Sequence, residues 1–153
     1  MIAEVGRPAP DFELVDQHGT PVRLSSFQGR RNVVLVFYPW SFSSVCTGEL
    51  TALRDDVGSF VNDTTQLLAV SVDSKFVQRR FADHEGIDFP VLADFWPHGE
   101  VAQAYGVFDS RAGAALRGSF VIDRAGVVRW NVLHGIPDAR DPADYVRALA
   151  SLT

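Results

Sequence analysis

Short apolar runs and amphipathic stretches follow one another along the chain, and their periods predict its elements in order. DFELVDQHGTPVRLSSF carries brief alternating runs on either side of Gln17-His18-Gly19, the pattern of a β-hairpin. In NVVLVFYP the apolar run from Val33 to Tyr38 is nearly continuous, which suits a strand buried on both faces, and Pro39 closes it. From Thr47 the period changes: Leu50, Leu53, Val57 and Phe60/Val61 recur at helical spacing. QLLAVSVD (66–73) reads as a second buried strand. Residues 74–85, with Phe76, Val77 and Phe81 among charges, read as an amphipathic helix ended by Gly86. A short strand over Phe89 to Ala93 and a short helix over Glu100 to Tyr105 come next, with Gly106 just past the helix. SFVIDRAGVVRWNV holds two strands around Arg124-Ala125-Gly126, a second hairpin. The last segment, from Asp141-Pro142 to Leu152, offers an N-cap, Pro at N1 and apolar Tyr145, Val146 and Leu149.

The order is hairpin, β, α, β, α, β, α, hairpin, α. A strand–helix–strand start followed by a hairpin and a final helix is the thioredoxin arrangement. The expected fold class is therefore α/β, thioredoxin-like, with a central mixed sheet flanked by helices and an added N-terminal β-hairpin. No repeat, low-complexity tract or Pro/Ser-rich linker divides the chain, so residues 1–153 are expected to form one domain.

Composition narrows the function. A formal net charge of −5 argues against a nucleic-acid or anionic-membrane surface, and no stretch approaches the ~20 apolar residues of a membrane span. MIAEVGRPAPDF lacks the basic and apolar regions of a signal peptide, so a cytoplasmic protein is expected. With one cysteine there is no intramolecular disulfide. Histidines 18, 84, 98 and 134 stand far apart with no second cysteine to complete zinc-type spacing, so neither a metal nor a cofactor is expected.

That cysteine sits where chemistry is concentrated in α/β folds. In Tyr38-Pro39-Trp40-Ser41-Phe42-Ser43-Ser44-Val45-Cys46-Thr47-Gly48-Glu49-Leu50, a buried strand ends at Pro39 and a helix begins around residues 44–47. Ligands bind outside the carboxyl ends of such strands, and unpaired N–H groups at a helix start favour a negative sulfur. The plain alternative is that a lone cysteine in an apolar stretch is an inert small hydrophobe.

The residues around it carry a resemblance. Pro39-x-x-x-Ser43-x-x-Cys46 matches the peroxiredoxin signature Pro-x-x-x-(Thr/Ser)-x-x-Cys, with Glu49 at a spacing common in that family. Arg117 before GSFVID (118–123) resembles the segment that carries the family's active-site arginine. Phe12, Gly29, VLVFYP and DFWPHGEVAQAYGVF also fall in family-like order, so the likeness covers nearly the whole chain and is nearest to the small AhpE-like group of one-cysteine members.

The resemblance implies a thiol-dependent peroxidase that reduces hydrogen peroxide and organic hydroperoxides through a sulfenic acid on Cys46. A free thiol of pKa ~8.5 is about 3% thiolate at pH 7, so complete ionisation gains at most ~30-fold. The rest must come from donors aimed at the transition state. In that reading Arg117 stabilises the thiolate and donates to a peroxide oxygen, and the Ser43 hydroxyl accepts and donates. Pro39 shields the sulfur, and Glu49 orients Arg117. Each has a structural alternative: Ser43 as an N-cap, Glu49 as a solvated first-turn acid, Pro39 as a strand stop, and Arg117 as one of several arginines with 111, 124 and 129.

Two departures stand out. Ser43 lacks the methyl that limits a threonine's rotamers. With no second cysteine, the sulfenic acid must be reduced from outside, by a low-molecular-weight thiol or a glutaredoxin- or thioredoxin-like protein. The family likeness also implies a homodimer packed around the active-site loop, through Trp40, Phe42 or the Phe95-Trp96-Pro97 loop. Competing readings are a peroxide sensor that relays oxidation to a partner and a monothiol reductase. A cysteine hydrolase fits least, because no histidine stands in a recognisable relation to Cys46.

Overall fold

The computed structural model describes residues 1–152. Along the chain run β1 (Glu13–Val15), β2 (Pro21–Arg23), β3 (Asn32–Phe37), α1 (Ser44–Asp55), β4 (Thr65–Ser71), α2 (Lys75–Glu85), β5 (Val91–Ala93), α3 (Glu100–Ala104), β6 (Phe108–Asp109), β7 (Ala114–Ala115), β8 (Arg117–Ile122), β9 (Val128–His134) and α4 (Pro142–Ala150). The central sheet has the order β5-β4-β3-β8-β9. Strands β3, β4 and β5 pair in parallel, while β8 runs antiparallel to both β3 and β9. With the β1–β2 hairpin ahead of it, this is the mixed, thioredoxin-like sheet that the apolar pattern predicts.

The continuous apolar run of β3 follows from its central place, because alternate side chains enter two different layers. Val34, Val36 and Tyr38 meet Cys46, Leu50, Leu53, Phe60 and Phe81 on one face. Val33, Leu35 and Phe37 meet Phe12, Tyr105 and Phe120 on the other. Helix ends follow local chemistry. The Ser74 side chain accepts from Val77 N–H at the start of α2, and Gly86 closes that helix in the left-handed conformation that glycine adopts without a Cβ penalty. Asp141 caps α4 ahead of Pro142.

The helical faces differ from the sequence pattern in three places. The spacing through Val57 and Phe60 continues a helix on paper, but α1 stops at Asp55 and a 3₁₀ turn covers Val57–Ser59. Asp55-Asp56-Val57-Gly58 is a poor helical stretch, and breaking the helix there lets Phe60 turn inward. In α2 the buried face is Gln78, Phe81 and Ala82, so Phe76 and Val77 point outward. In α4 Tyr145 and Ala148 are buried, while Val146 is exposed. The β6–β7 ladder, two residues a side, is too short for a periodic signal. Among the described residues no helix is long and apolar enough to cross a membrane.

Candidate active site

The loop from Tyr38 to Ser43 leaves the carboxyl end of β3 and enters α1, which places Cys46 in the first turn, fully buried. Thr47 N–H donates to Ser43 O at 2.9 Å, so the helical bonding starts from Ser43. Ser43 occupies the N-cap position, but its hydroxyl makes no cap bond. It turns back and donates to Trp40 O at 2.9 Å. Pro39 is buried beside the strand end. Phe42 has φ 71°, a left-handed backbone that costs a bulky residue about 1–2 kcal/mol. Its ring packs edge-on against Phe81 at 5.2 Å between centroids, which helps to hold that conformation.

Sheet register delivers the arginine. Ser119 of β8 stands opposite Val36 of β3. Because the strands are antiparallel, Arg117 lies two residues further on, just where β3 runs out. Arg117, Ser119 and Val121 share one face by the two-residue alternation, and Val121 packs in the same layer as Cys46. Arg117 is buried, and its Nη1 donates to Cys46 Sγ at 3.2 Å and to Glu49 Oε1 at 2.5 Å. Its Nε donates to Ile136 O at 2.6 Å, which fixes the guanidinium plane. The next residue must be small, since a Cβ on Gly118 would meet Val107 Cγ1 at 2.6 Å.

Glu49 stands three residues past Cys46, one helical turn on. It is shared between two arginines, and the second is absent from the sequence-derived set. Arg140 donates through Nε to Glu49 Oε2 at 2.8 Å and through Nη2 to Oε1 at 2.9 Å. Its backbone N–H adds a third bond to Oε2 at 2.8 Å. The Arg140 Nη1 donates to Phe37 O at 2.7 Å, Gly118 O at 2.9 Å and Ser119 Oγ at 3.0 Å, joining β3 to β8. Burial pushes the Glu49 carboxyl upward; the Arg140 side chain and N–H, with Arg117 behind them, outweigh it and hold the group below its ordinary value.

Of the five residues expected from the sequence, Arg117 touches both Cys46 and Glu49. Ser43 and Pro39 belong to the loop that precedes the sulfur. Arginines 111, 124 and 129 are exposed, and Arg129 pairs with Asp123 instead. Arg140 was invisible because residues 135–141 carry no period, and nothing marks an arginine before an Asp-Pro helix start as an interior one.

The model of the AhpC/TSA family matches residues 5–131. This chain belongs to that family. It is 46% identical over 149 residues to alkyl hydroperoxide reductase E of Mycobacterium tuberculosis, covering 97% of each chain. A peroxiredoxin of Thermoplasma volcanium is 34% identical over 158 residues, covering 99% of this chain and 76% of that protein. Among solved structures, the crystal structure of peroxidoxin BcpB from Mycobacterium tuberculosis superposes with TM-score 0.86 at 32% identity, over 99% of each chain. The reduced 2-Cys peroxiredoxin of Plasmodium vivax gives TM-score 0.85 at 28% identity, over 95% of this chain and 80% of that one. The chain is thus a peroxiredoxin, an enzyme of the thiol peroxidase class, and its single cysteine is consistent with a one-cysteine member.

Proposed function

We propose that this peroxiredoxin reduces hydrogen peroxide and organic hydroperoxides at Cys46 and is recycled by a thiol from outside the chain. The observation that carries the reading is the Arg117 Nη1, 3.2 Å from Cys46 Sγ in a buried site. Two guanidiniums face one carboxylate in the Arg117–Glu49–Arg140 trio, and a thiolate on Cys46 balances the surplus positive charge. The thiolate attacks one peroxide oxygen, and the S–O bond forms as the O–O bond breaks. The departing oxygen takes a proton and leaves as water or an alcohol, and Cys46 becomes a sulfenic acid. Arg117 donates to the oxygen pair as charge moves onto it, Ser43 orients the peroxide, and Pro39 keeps competing donors from the sulfur. Glu49 holds Arg117. Since Cys46 is fully covered, peroxide reaches the sulfur only when the groups that cover it move aside.

With one cysteine in the chain, a low-molecular-weight thiol or a glutaredoxin- or thioredoxin-like protein must attack the sulfenic sulfur, releasing its oxygen as water and leaving a mixed disulfide that a second outside thiol reduces to free Cys46. The cytoplasm, where thiols are kept reduced, suits that cycle. We also read the enzyme as a one-domain homodimer. Parallel pairing puts the loops after β3 and β5 at the same carboxyl end of the strands, where Trp40, Phe42, Phe95 and Trp96 expose apolar rings for a second copy.

The test is one equivalent of peroxide added to reduced protein, with tryptophan fluorescence and intact mass followed in time. Cys46 should gain one oxygen far faster than free cysteine reacts, and excess peroxide without thiol should carry it on to two and three oxygens. Replacing Arg117 with Met should slow the first step by more than the ~30-fold that ionisation alone explains. A wild-type rate no faster than free cysteine would sink the peroxidase reading.

A further inference from the structure

We propose that Asp73 is a positioning residue for the Ser43 hydroxyl, acting through the peptide unit between Trp40 and Ser41. The proposal rests on the peroxidase reading and concerns how the hydroxyl that accepts from the peroxide is aimed.

Ser43 has no branching methyl, so its hydroxyl has no intrinsic reason to prefer one rotamer strongly. What fixes it is the bond it donates to Trp40 O at 2.9 Å. With the proton committed there, both lone pairs remain free to accept from a peroxide O–H. The direction of the hydroxyl is therefore set by the direction of one carbonyl. That carbonyl belongs to a trans peptide, in which C=O and N–H point oppositely within one plane. The N–H of the same unit, on Ser41, donates to Asp73 Oδ2 at 2.8 Å. Holding the N–H on the carboxylate turns the carbonyl toward Ser43.

Asp73 is itself braced. Its Oδ2 also accepts from Ser71 Oγ at 2.6 Å, and the Ser71 hydroxyl in turn accepts from Gln78 Nε2 at 2.8 Å. Gln78, fully buried, donates to Leu92 O at 3.1 Å and accepts from Ser41 Oγ at 2.6 Å and Tyr38 OH at 3.2 Å, so all four of its amide bonds are made. The bracing runs from the ends of β4 and β5 and from α2 into the loop. None of it passes through Arg117 or Glu49. Thiolate stabilisation and hydroxyl aim are thus held by separate scaffolds, and they should fail separately.

The test is the second-order rate of Cys46 oxidation by hydrogen peroxide in four proteins: wild type, Asp73→Ala, Ser43→Ala and the double variant. Asp73→Ala should lower the rate about tenfold, the worth of roughly one oriented hydrogen bond. It should leave the pH profile of Cys46 alkylation where it was. In the Ser43→Ala background Asp73→Ala should add less than about twofold, because there is no hydroxyl left to aim. Asp73→Asn, which keeps an oxygen acceptor, should restore a rate near wild type. Ser43→Thr should recover much of the loss in Asp73→Ala, its methyl limiting the rotamers instead. Asp73 is only half-buried, so Asp73→Ala should fold; if it does not, Asp73→Ser, too short to reach the Ser41 N–H, takes its place. Equal losses with and without the Ser43 hydroxyl would overturn the proposal, as would a displaced alkylation profile. A wild type no faster than free cysteine would instead strike the peroxidase reading beneath it.

Discussion

Replacing Arg140 with Met keeps most of the side-chain volume while removing five side-chain hydrogen bonds, two to Glu49 and one each to Phe37 O, Gly118 O and Ser119 Oγ. Taking one partner from a buried ion pair costs about 3–5 kcal/mol, because the other charge is left behind without its counterion. Here Glu49 keeps Arg117 and the backbone N–H of residue 140, so the lower end, about 3 kcal/mol, is the working figure. For an unfolding slope of about 2 kcal/mol per molar urea, the midpoint should fall by about 1.5 M with the slope unchanged. Equilibrium urea unfolding of the reduced proteins measures this directly. A double-mutant cycle with Glu49→Gln should show a coupling above about 1 kcal/mol. A midpoint shift below about 0.5 M, with additive single effects, would show instead that the pair behaves like an exposed salt bridge worth under about 1 kcal/mol.

The Glu49 carboxyl, held below its ordinary value of 4.5, contributes stability that is present above that value and lost as pH falls through the lower folded one. The stability gap between wild type and Glu49→Gln, measured by urea unfolding between pH 7 and pH 3, should therefore be constant down to about 5 and close below it. Asp94 runs the other way, since burial raises it despite bonds from the Ala102 and Val101 N–H groups, which is why the gap and not the total is the quantity to follow. Gly118→Ala places a Cβ 2.6 Å from Val107 Cγ1, an overpacking expected to cost about 1–3 kcal/mol. It should also slow peroxide oxidation of Cys46, because the strain falls on the residue next to Arg117. A thermal midpoint and an oxidation rate both equal to wild type would show that Val107 moves aside freely.

Element types were legible wherever burial imposes a period. The run from Val33 to Tyr38 announces a strand with two buried faces, and Ser74, Gly86, Asp141 and Pro142 mark helix ends through their own backbone preferences. The period misled where a helix carries a polar residue inward. Gln78 is fully buried because four partners surround it, and its neighbours Phe76 and Val77 are turned out as a consequence. The face of α2 was decided by a hydrogen-bond network that no hydropathy pattern encodes.

The site divides along the same line. Local sequence places one thiol at the start of a helix after a buried strand, with no second thiol beside it and a hydroxyl three residues before it. All of these are local facts, and helix and strand periods act locally. A family resemblance singled out Arg117, but its contact with the sulfur 71 residues away, and the sharing of the carboxylate by Arg140, 91 residues from Glu49, come from the packed fold. Those choices depend on the register of β8 against β3 and on where an irregular segment returns to the sheet. The aim of the Ser43 hydroxyl belongs with them, because a single peptide plane sets it and that plane is held from another strand.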